Sequence, residues 1–242
     1  MKLHSAIPYI KKLPDKERFE KSDLLIPPFL LDKHGPIEVY YAAHNEYINQ
    51  KAIVLIVGIT PGWVQMEKSI WLAKRYLYEN RSYEEIIKLV KSECRFAGSM
   101  RKNLITMLDD LELQKALSVD SCNDLFHINE GLLHSVSLIK FPVFIEGENY
   151  NGHTPPIAGS DFLRRFLEDT IKTDLLSLEN TPFVIPLGKA VETILHQLID
   201  KGILNPSQCL FGFPHPSGAN GHRHKQFRQQ REVLAKKIKK FF

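Results

Sequence analysis

Ala52-Ile53-Val54-Leu55-Ile56-Val57-Gly58-Ile59-Thr60-Pro61-Gly62 begins as an unbroken apolar run rich in β-branched residues and ends in a turn. A run of that length without polar alternation is the mark of a strand covered on both faces, the situation of a parallel sheet. The Gly-x-Thr-Pro-Gly that follows puts a tight loop at the carboxyl end of the strand, where open α/β sheets bind their ligands.

The rest of the chain alternates in the same way. Helices are expected from about Ser82 to Lys91, from Lys102 to Leu113 (Leu104, Met107, Leu108 and Leu111 at helical spacing) and from Phe162 to Leu176. Leu132 to Ile139 and Pro182 to Leu187 are expected strands, the second followed by Gly188-Lys189-Ala190 and a helix through Val191, Leu195 and Leu198. Cys209 to Phe213 is expected as a fourth short strand, ending at His215-Pro216-Ser217-Gly218, before a last helix with Phe227, Val233, Leu234 and Ile238. Strands alternating with helices predict an α/β fold, three α/β/α layers around a central, mostly parallel four-stranded sheet. Residues 1–50, with turn signals at Pro27-Pro28 and Gly35-Pro36 and one alternating stretch from Ile37 to Tyr41, are expected as an N-terminal extension packed on a single domain spanning 1–242.

At 242 residues, with 43% hydrophobic and 25% charged residues, the composition is that of an ordinary globular chain and excludes a disordered one. No apolar run approaches the eighteen or so residues of a membrane span, and the N-terminus has no signal-peptide core, so a cytoplasmic location without membrane contact is expected. Cys94, Cys122 and Cys209 are odd in number and form no CxxC pair, which predicts buried free thiols and calls for no metal or other cofactor. Charge is uneven. Eight Lys or Arg against Glu232 alone give residues 223–242 a net +7, leaving −3 on the rest of a chain whose net charge is +4. A basic terminus directly after the His215 loop fits either a solvated helix or a phosphate-binding face.

Taken singly, each loop is a common turn. Their order carries more. Gly58 to Gly62 is followed by Phe96-Ala97-Gly98-Ser99 and then by Ser135-Val136-Ser137 on a strand. Thr154-Pro155, Leu187-Gly188-Lys189-Ala190 and His215-Pro216-Ser217-Gly218-Ala219-Asn220 complete the series. This succession resembles the uracil-DNA glycosylase superfamily from about residue 50 to the C-terminus. The resemblance implies that fold and makes DNA the partner, with no obligate protein partner indicated. In its terms Gly58, Ile59, Pro61 and Gly62 form the first substrate loop and Phe96 stacks on the extruded base. Ser137 (or Ser135, two residues away) and Asn151 contribute to the pocket. His215 stabilises the leaving base. Ser217, Gly218, Ala219, Asn220, His222 and Arg223 meet the DNA.

The chemistry behind that layout is general. A base is cut from its sugar only after flipping into a pocket that stacks it and reads its edge. Its departure leaves an anionic base, which a donor such as His215 stabilises, and an electron-poor sugar, beside which a carboxylate or amide normally positions water. Here the sequence departs from its relatives. Thr60 stands where they carry Asp or Asn, and a threonine hydroxyl orients water but cannot act as a base. Glu67, Glu146, Glu148 and Asp161 are candidate substitutes by position. Ser137 stands where uracil-specific members present Asn, leaving room for a bulkier base. Ala219 is a poor wedge for the emptied stack, and His222 or Arg223 is the alternative. Lys140 is the nearest lysine to the motifs, and none is placed as a Schiff-base nucleophile.

The expected activity is therefore a monofunctional DNA glycosylase with Thr60 holding water and His215 assisting departure. Its substrate is a non-standard base, uracil or, as in superfamily members of bacterial defence, a bulky modified cytosine of phage DNA. The rival expectation is a catalytically silent DNA-binding module of the same fold.

Overall fold

The structure is a computed structural model and describes residues 2–96 and 98–242. Among them the strands are, in chain order, β1 (Leu30–His34), β2 (Ile37–Tyr40), β3 (Val54–Gly58), β4 (Leu133–Ser137), β5 (Val143–Ile145), β6 (Glu148–Asn149) and β7 (Phe183–Pro186). The α-helices are α1 (Leu3–Ile10), α2 (Lys21–Leu24), α3 (Trp63–Tyr78), α4 (Tyr83–Cys94), α5 (Ser99–Asp110), α6 (Leu113–Ala116), α7 (Asp161–Thr170), α8 (Lys189–Asp200) and α9 (Arg223–Phe241). They gather into two compact units: Met1–Ile48, Thr60–Arg95 and Ser137–Thr170 form the first, and Asn49–Ile59, Phe96–Val136 and Ile171–Phe242 the second.

The second unit holds the α/β element that the sequence predicts. Its sheet has the order β4-β3-β7, with β3 and β7 parallel from Val54 opposite Phe183 to Val57 opposite Pro186. Val54, Leu55, Ile56 and Val57 are all essentially inaccessible, which is why no polar residue alternates in the run. Val54 and Ile56 share a core with Phe183 and Ile185, Leu104 and Leu108 of α5, and Phe227, Leu234 and Ile238 of α9, while α8 packs on β7. The expected fourth strand at Cys209–Phe213 is instead a single parallel bridge between Val184 and Cys209. After it the Phe211 amide turns back to the Cys209 carbonyl (3.1 Å) and Gly212 adopts φ +90°, a left-handed conformation that ends extended pairing.

The first unit is built around an antiparallel sheet, β1-β2-β5-β6. Ile37 opposes Ile145 and Val39 opposes Val143, so the alternating stretch near residue 37 is a strand whose partner lies about a hundred residues on. Residues expected as an extension supply much of this unit's core: Leu3, Ile10, Phe19, Leu24 and Phe29 pack with Met66, Ile70 and Ala73 of α3 and with Ile86 and Val90 of α4. Ser82 caps α4 reciprocally with Glu85. A polar network lies within the apolar packing. The Lys91 ammonium donates to Asn45 Oδ1 (2.6 Å), the Asn45 amide donates to the Lys140 carbonyl (2.8 Å), and Tyr83 donates to Glu46 (2.6 Å).

The segment expected as one helix from Phe162 is α-helical to Thr170 and widens into a π-helical turn over Ile171–Leu175. All three cysteines are buried free thiols, and burial pushes the Cys122 and Cys209 thiols up, that of Cys209 to about 11. No helix among the described residues is long and apolar enough to cross a membrane.

Candidate active site

In the second unit the His215 loop is braced from three directions. The His215 carbonyl accepts from the Asn220 amide (3.3 Å), the Pro216 carbonyl from the Asn103 amide (2.9 Å), and the Ser217 carbonyl from the Arg223 guanidinium (2.7 Å). Three consecutive carbonyls are thus held by side chains from α5, α9 and the loop itself. The imidazole is fixed as well. The Ser217 backbone N–H donates to His215 Nδ1 at 3.2 Å, and a nitrogen that accepts carries no proton, so the proton sits on Nε2. Among the described residues Nε2 has no protein partner. Burial holds the imidazole below its ordinary pKa, since a charged ring would lose solvation there. The product is a half-buried, neutral histidine with one N–H left to donate.

Gly188, before the first turn of α8, accounts for the glycine of the Leu187-Gly188-Lys189-Ala190 element. Its φ of +89° and ψ of 171° lie where side-chain-bearing residues are strained, and a Cβ there would stand 3.2 Å from His215 Cβ and 3.4 Å from Cδ2. The glycine therefore admits both the turn into α8 and the close approach of the imidazole.

Other residues of this unit sit as follows. Gly58 and Ile59, at the carboxyl end of β3, are half-buried. Phe96, at φ +50°, packs half-buried against the core. Ser217 Oγ accepts from the Ala219 amide (3.2 Å) and keeps its own proton. Gly218, Ala219 and His222 are exposed and Asn220 half-buried. Arg223 is first a brace: one terminal nitrogen is taken by the Pro216 and Ser217 carbonyls and the other meets His224 Nε2 (3.2 Å). On α9, Lys237 donates to the Pro206 carbonyl (2.9 Å), Arg231 to the Asp110 carbonyl (3.3 Å), and Lys239 pairs with Glu112 (3.1 Å). Lys225, Arg228, Lys236 and Lys240 make no such contact among the described residues and are exposed, the three lysines on the helix side opposite Phe227, Leu234 and Ile238 and Arg228 on its flank.

The first unit contains Thr60, Pro61 and Gly62. The Thr60 hydroxyl donates to the Phe141 carbonyl at 2.8 Å and accepts from the Val143 amide at 3.2 Å. Its proton and one lone pair are spent stitching the loop to the start of β5, so a water would be held only as a donor to the remaining lone pair. Pro61 is buried. The Gly62 amide donates to Gln65 Oε1 (3.1 Å) and the Trp63 amide to Asn149 Oδ1 (2.8 Å), capping α3. Ser137 is half-buried. Asn151 is exposed, its Oδ1 accepting from the His153 amide (3.0 Å), beside a buried Tyr150 whose hydroxyl donates to the Pro155 carbonyl.

Of the four candidate carboxylates, Glu146 occupies a left-handed turn, Glu148 pairs on the surface with Lys21 (3.0 Å) and Asp161 pairs with Arg164. Glu67 alone is held inward, accepting from the Phe19 amide (3.1 Å). Lys140 contributes its carbonyl to Asn45. Of the supports, Gly188 lies in the Leu187-Gly188-Lys189-Ala190 element that the sequence marks, whereas sequence assigns Asn103 and Asn149 no such part. Gly188 had a signal, the glycine between a strand and a helix, but the two asparagines had none, because their partners are distant in the chain. Among the described residues no three His, Cys, Asp or Glu side chains converge as a metal site.

The chain is 41% identical over 237 residues to a Bacillus subtilis (strain 168) protein described as Uncharacterized protein YoxB, covering 96% of this chain and 93% of the relative. No protein-family model matches the chain, and no solved structure does either.

Proposed function

We propose, for a chain that belongs to the family of Bacillus subtilis YoxB, that it is a monofunctional DNA glycosylase with a uracil-DNA glycosylase-like fold. The carrying observation is the His215 imidazole: neutral, protonated on Nε2, and held by a loop with all three carbonyls tied down. That fold reading takes three α/β/α layers around the β4-β3-β7 sheet, which the Cys209 segment joins only through its parallel bridge to Val184.

The base leaves with the electrons of its bond to C1′, and charge grows on a base oxygen. The Nε2–H of His215 donates to that oxygen as the charge develops, with no reorganisation of the loop. Water adds to the electron-poor C1′ and gives up a proton to solvent, the departed base anion takes one up from solvent, and the products are the free base and an abasic site. Thr60 holds a water only by accepting from it, so bond breaking leads and water attack follows. By the resemblance of their motifs to the superfamily, Phe96 is assigned to stacking and Ser137 and Asn151 to reading the base. Ser217, the Gly218-Ala219-Asn220 turn, His222 and the outward lysines of α9 meet the phosphates, in the cytoplasm. A non-standard base, a modified cytosine of phage DNA or uracil, is the substrate.

The test is incubation of the purified protein with duplex and single-stranded DNA carrying uracil, hypoxanthine, hydroxymethylcytosine or its glucosylated form. Strand breaks after abasic-site cleavage on one of these support the reading. A second reading, a silent DNA-binding module, draws on one observation, the commitment of the Thr60 hydroxyl to backbone. It predicts that no base is released by the native chain and that Thr60→Asp creates activity.

A further inference from the structure

Within the first unit a cleft of about 350 Å³ opens where residues 17–19 pass the first two turns of α3. That volume lies at the small end of ligand pockets. Its walls include Trp63 and Trp71, the chain's two tryptophans, above a buried Phe19. The Trp71 indole N–H is satisfied by the Lys16 carbonyl (3.1 Å), which leaves the hydrocarbon of the ring as the surface a ligand meets. Glu67 is positioned by the Phe19 amide on Oε1, and Oε2 has no partner among the described residues. At the rim, Lys68 is turned to Glu93, carbonyl at 3.0 Å and carboxylate at 3.8 Å. Arg18 makes no hydrogen bond or ion pair among the described residues.

We propose that this cleft binds a nucleotide whose base carries an exocyclic amino group. Indole walls stack a planar heterocycle of any kind. A carboxylate oxygen with no donor of its own selects an edge that presents an amino group, that of adenine, cytosine or guanine, over the keto oxygens of uracil. Arg18 supplies a fork for the phosphate. A simple ammonium ligand fits worse, because it would share the cleft with Arg18 and Lys68. The site is separate from the His215 chemistry and is tested without base release.

Because both tryptophans line the cleft, intrinsic fluorescence reports on it without a label. The native chain is titrated with AMP, CMP, UMP, adenosine and a four-residue deoxyadenosine oligonucleotide. Saturable quenching by AMP and CMP about ten-fold tighter than by UMP is expected. Arg18→Ala weakens AMP while leaving adenosine unchanged. Glu67→Gln keeps an acceptor for the Phe19 amide and places a donor where Oε2 stood, so it reverses the order and favours UMP, at unchanged melting temperature. An oligonucleotide that binds ten-fold tighter than AMP makes the source a nucleic-acid strand, and one that binds no tighter makes it a free nucleotide. Absence of saturable quenching, or an order of bases unaltered by Glu67→Gln, overturns the proposal.

Discussion

Replacing Gly188 by alanine separates two costs that the structure combines at one atom. The backbone there sits at φ +89° and ψ 171°, a region whose occupation by an ordinary residue costs on the order of 1–3 kcal/mol. The new Cβ would also stand 3.2 Å from His215 Cβ, and overpacking of that kind adds on the order of 1–3 kcal/mol. The sum, about 4 kcal/mol, lowers the melting temperature of a chain of this size by about 8–16 °C. Gly202→Ala is the control. Gly202 has φ +70° but open space where a Cβ would go, so it bears the conformational cost alone. Thermal unfolding of both variants by circular dichroism should show Gly188→Ala well below Gly202→Ala. It should also show a displaced imidazole, read as altered 15N shifts of His215. If Gly188→Ala melts with or above Gly202→Ala, the close packing of His215 on Gly188 is wrong and the braced-loop account loses its floor.

Thr60→Val removes a donor to Phe141 and an acceptor from Val143 at nearly constant volume, and two orphaned backbone groups cost about 2 kcal/mol. Urea unfolding should show that loss for valine and little for Thr60→Ser. His215 and His44 both sit below their ordinary pKa, His215 through burial and His44 through burial and then the nearby Lys91 charge. The unfolded chain takes up protons near pH 6.5 that the folded chain refuses, so stability is full above that pH and drains as pH falls below it. Urea midpoints at pH 7.5 and 5.0 check this, and His44→Gln should flatten the difference; a pH-independent midpoint would contradict it. Replacing Lys225, Arg228, Lys236 and Lys240 together by Gln should weaken DNA binding for every sequence. In anisotropy titrations it should reduce the slope against log salt by up to about 3–4, whereas an unchanged slope removes α9 from the interface.

How far the sequence could be read depended on whether partners were local. The buried run at Val54–Val57 declared its strand and its parallel setting, since both signals lie within a few residues. The helices at Tyr83 and Lys189 were legible from spacing and from Ser82 and Gly188 at their starts. α3 was not. It starts at Gly62 rather than at a Ser, Thr or Asp cap, and it buries Ser69 and Lys74 among its apolar residues, which blurs the stripe. The sheet of the first unit was legible only at Ile37 to Tyr41, because its other strands are two to five residues long and the pairing that joins its two halves, β2 with β5, spans about a hundred residues. At Cys209 a local strand signal lost to the turn that Gly212 makes. In the candidate site the tautomer of His215 was not readable from sequence, because it depends on where the Ser217 amide points. The duty of Thr60 was hidden for the same reason: both of its hydrogen-bond partners lie more than eighty residues away.

The central claim is that the Nε2–H of His215 assists departure of a base from DNA. The most direct measurement is the rate of free-base release under single-turnover conditions, at pH 7.5, by the native chain and by His215→Ala on the same oligonucleotide. Loss of one preorganised donor of this kind predicts a rate lower by about 100- to 1,000-fold, with DNA binding retained. Release at the native rate by His215→Ala, or no base released by the native chain from any of the four modified substrates, contradicts the account.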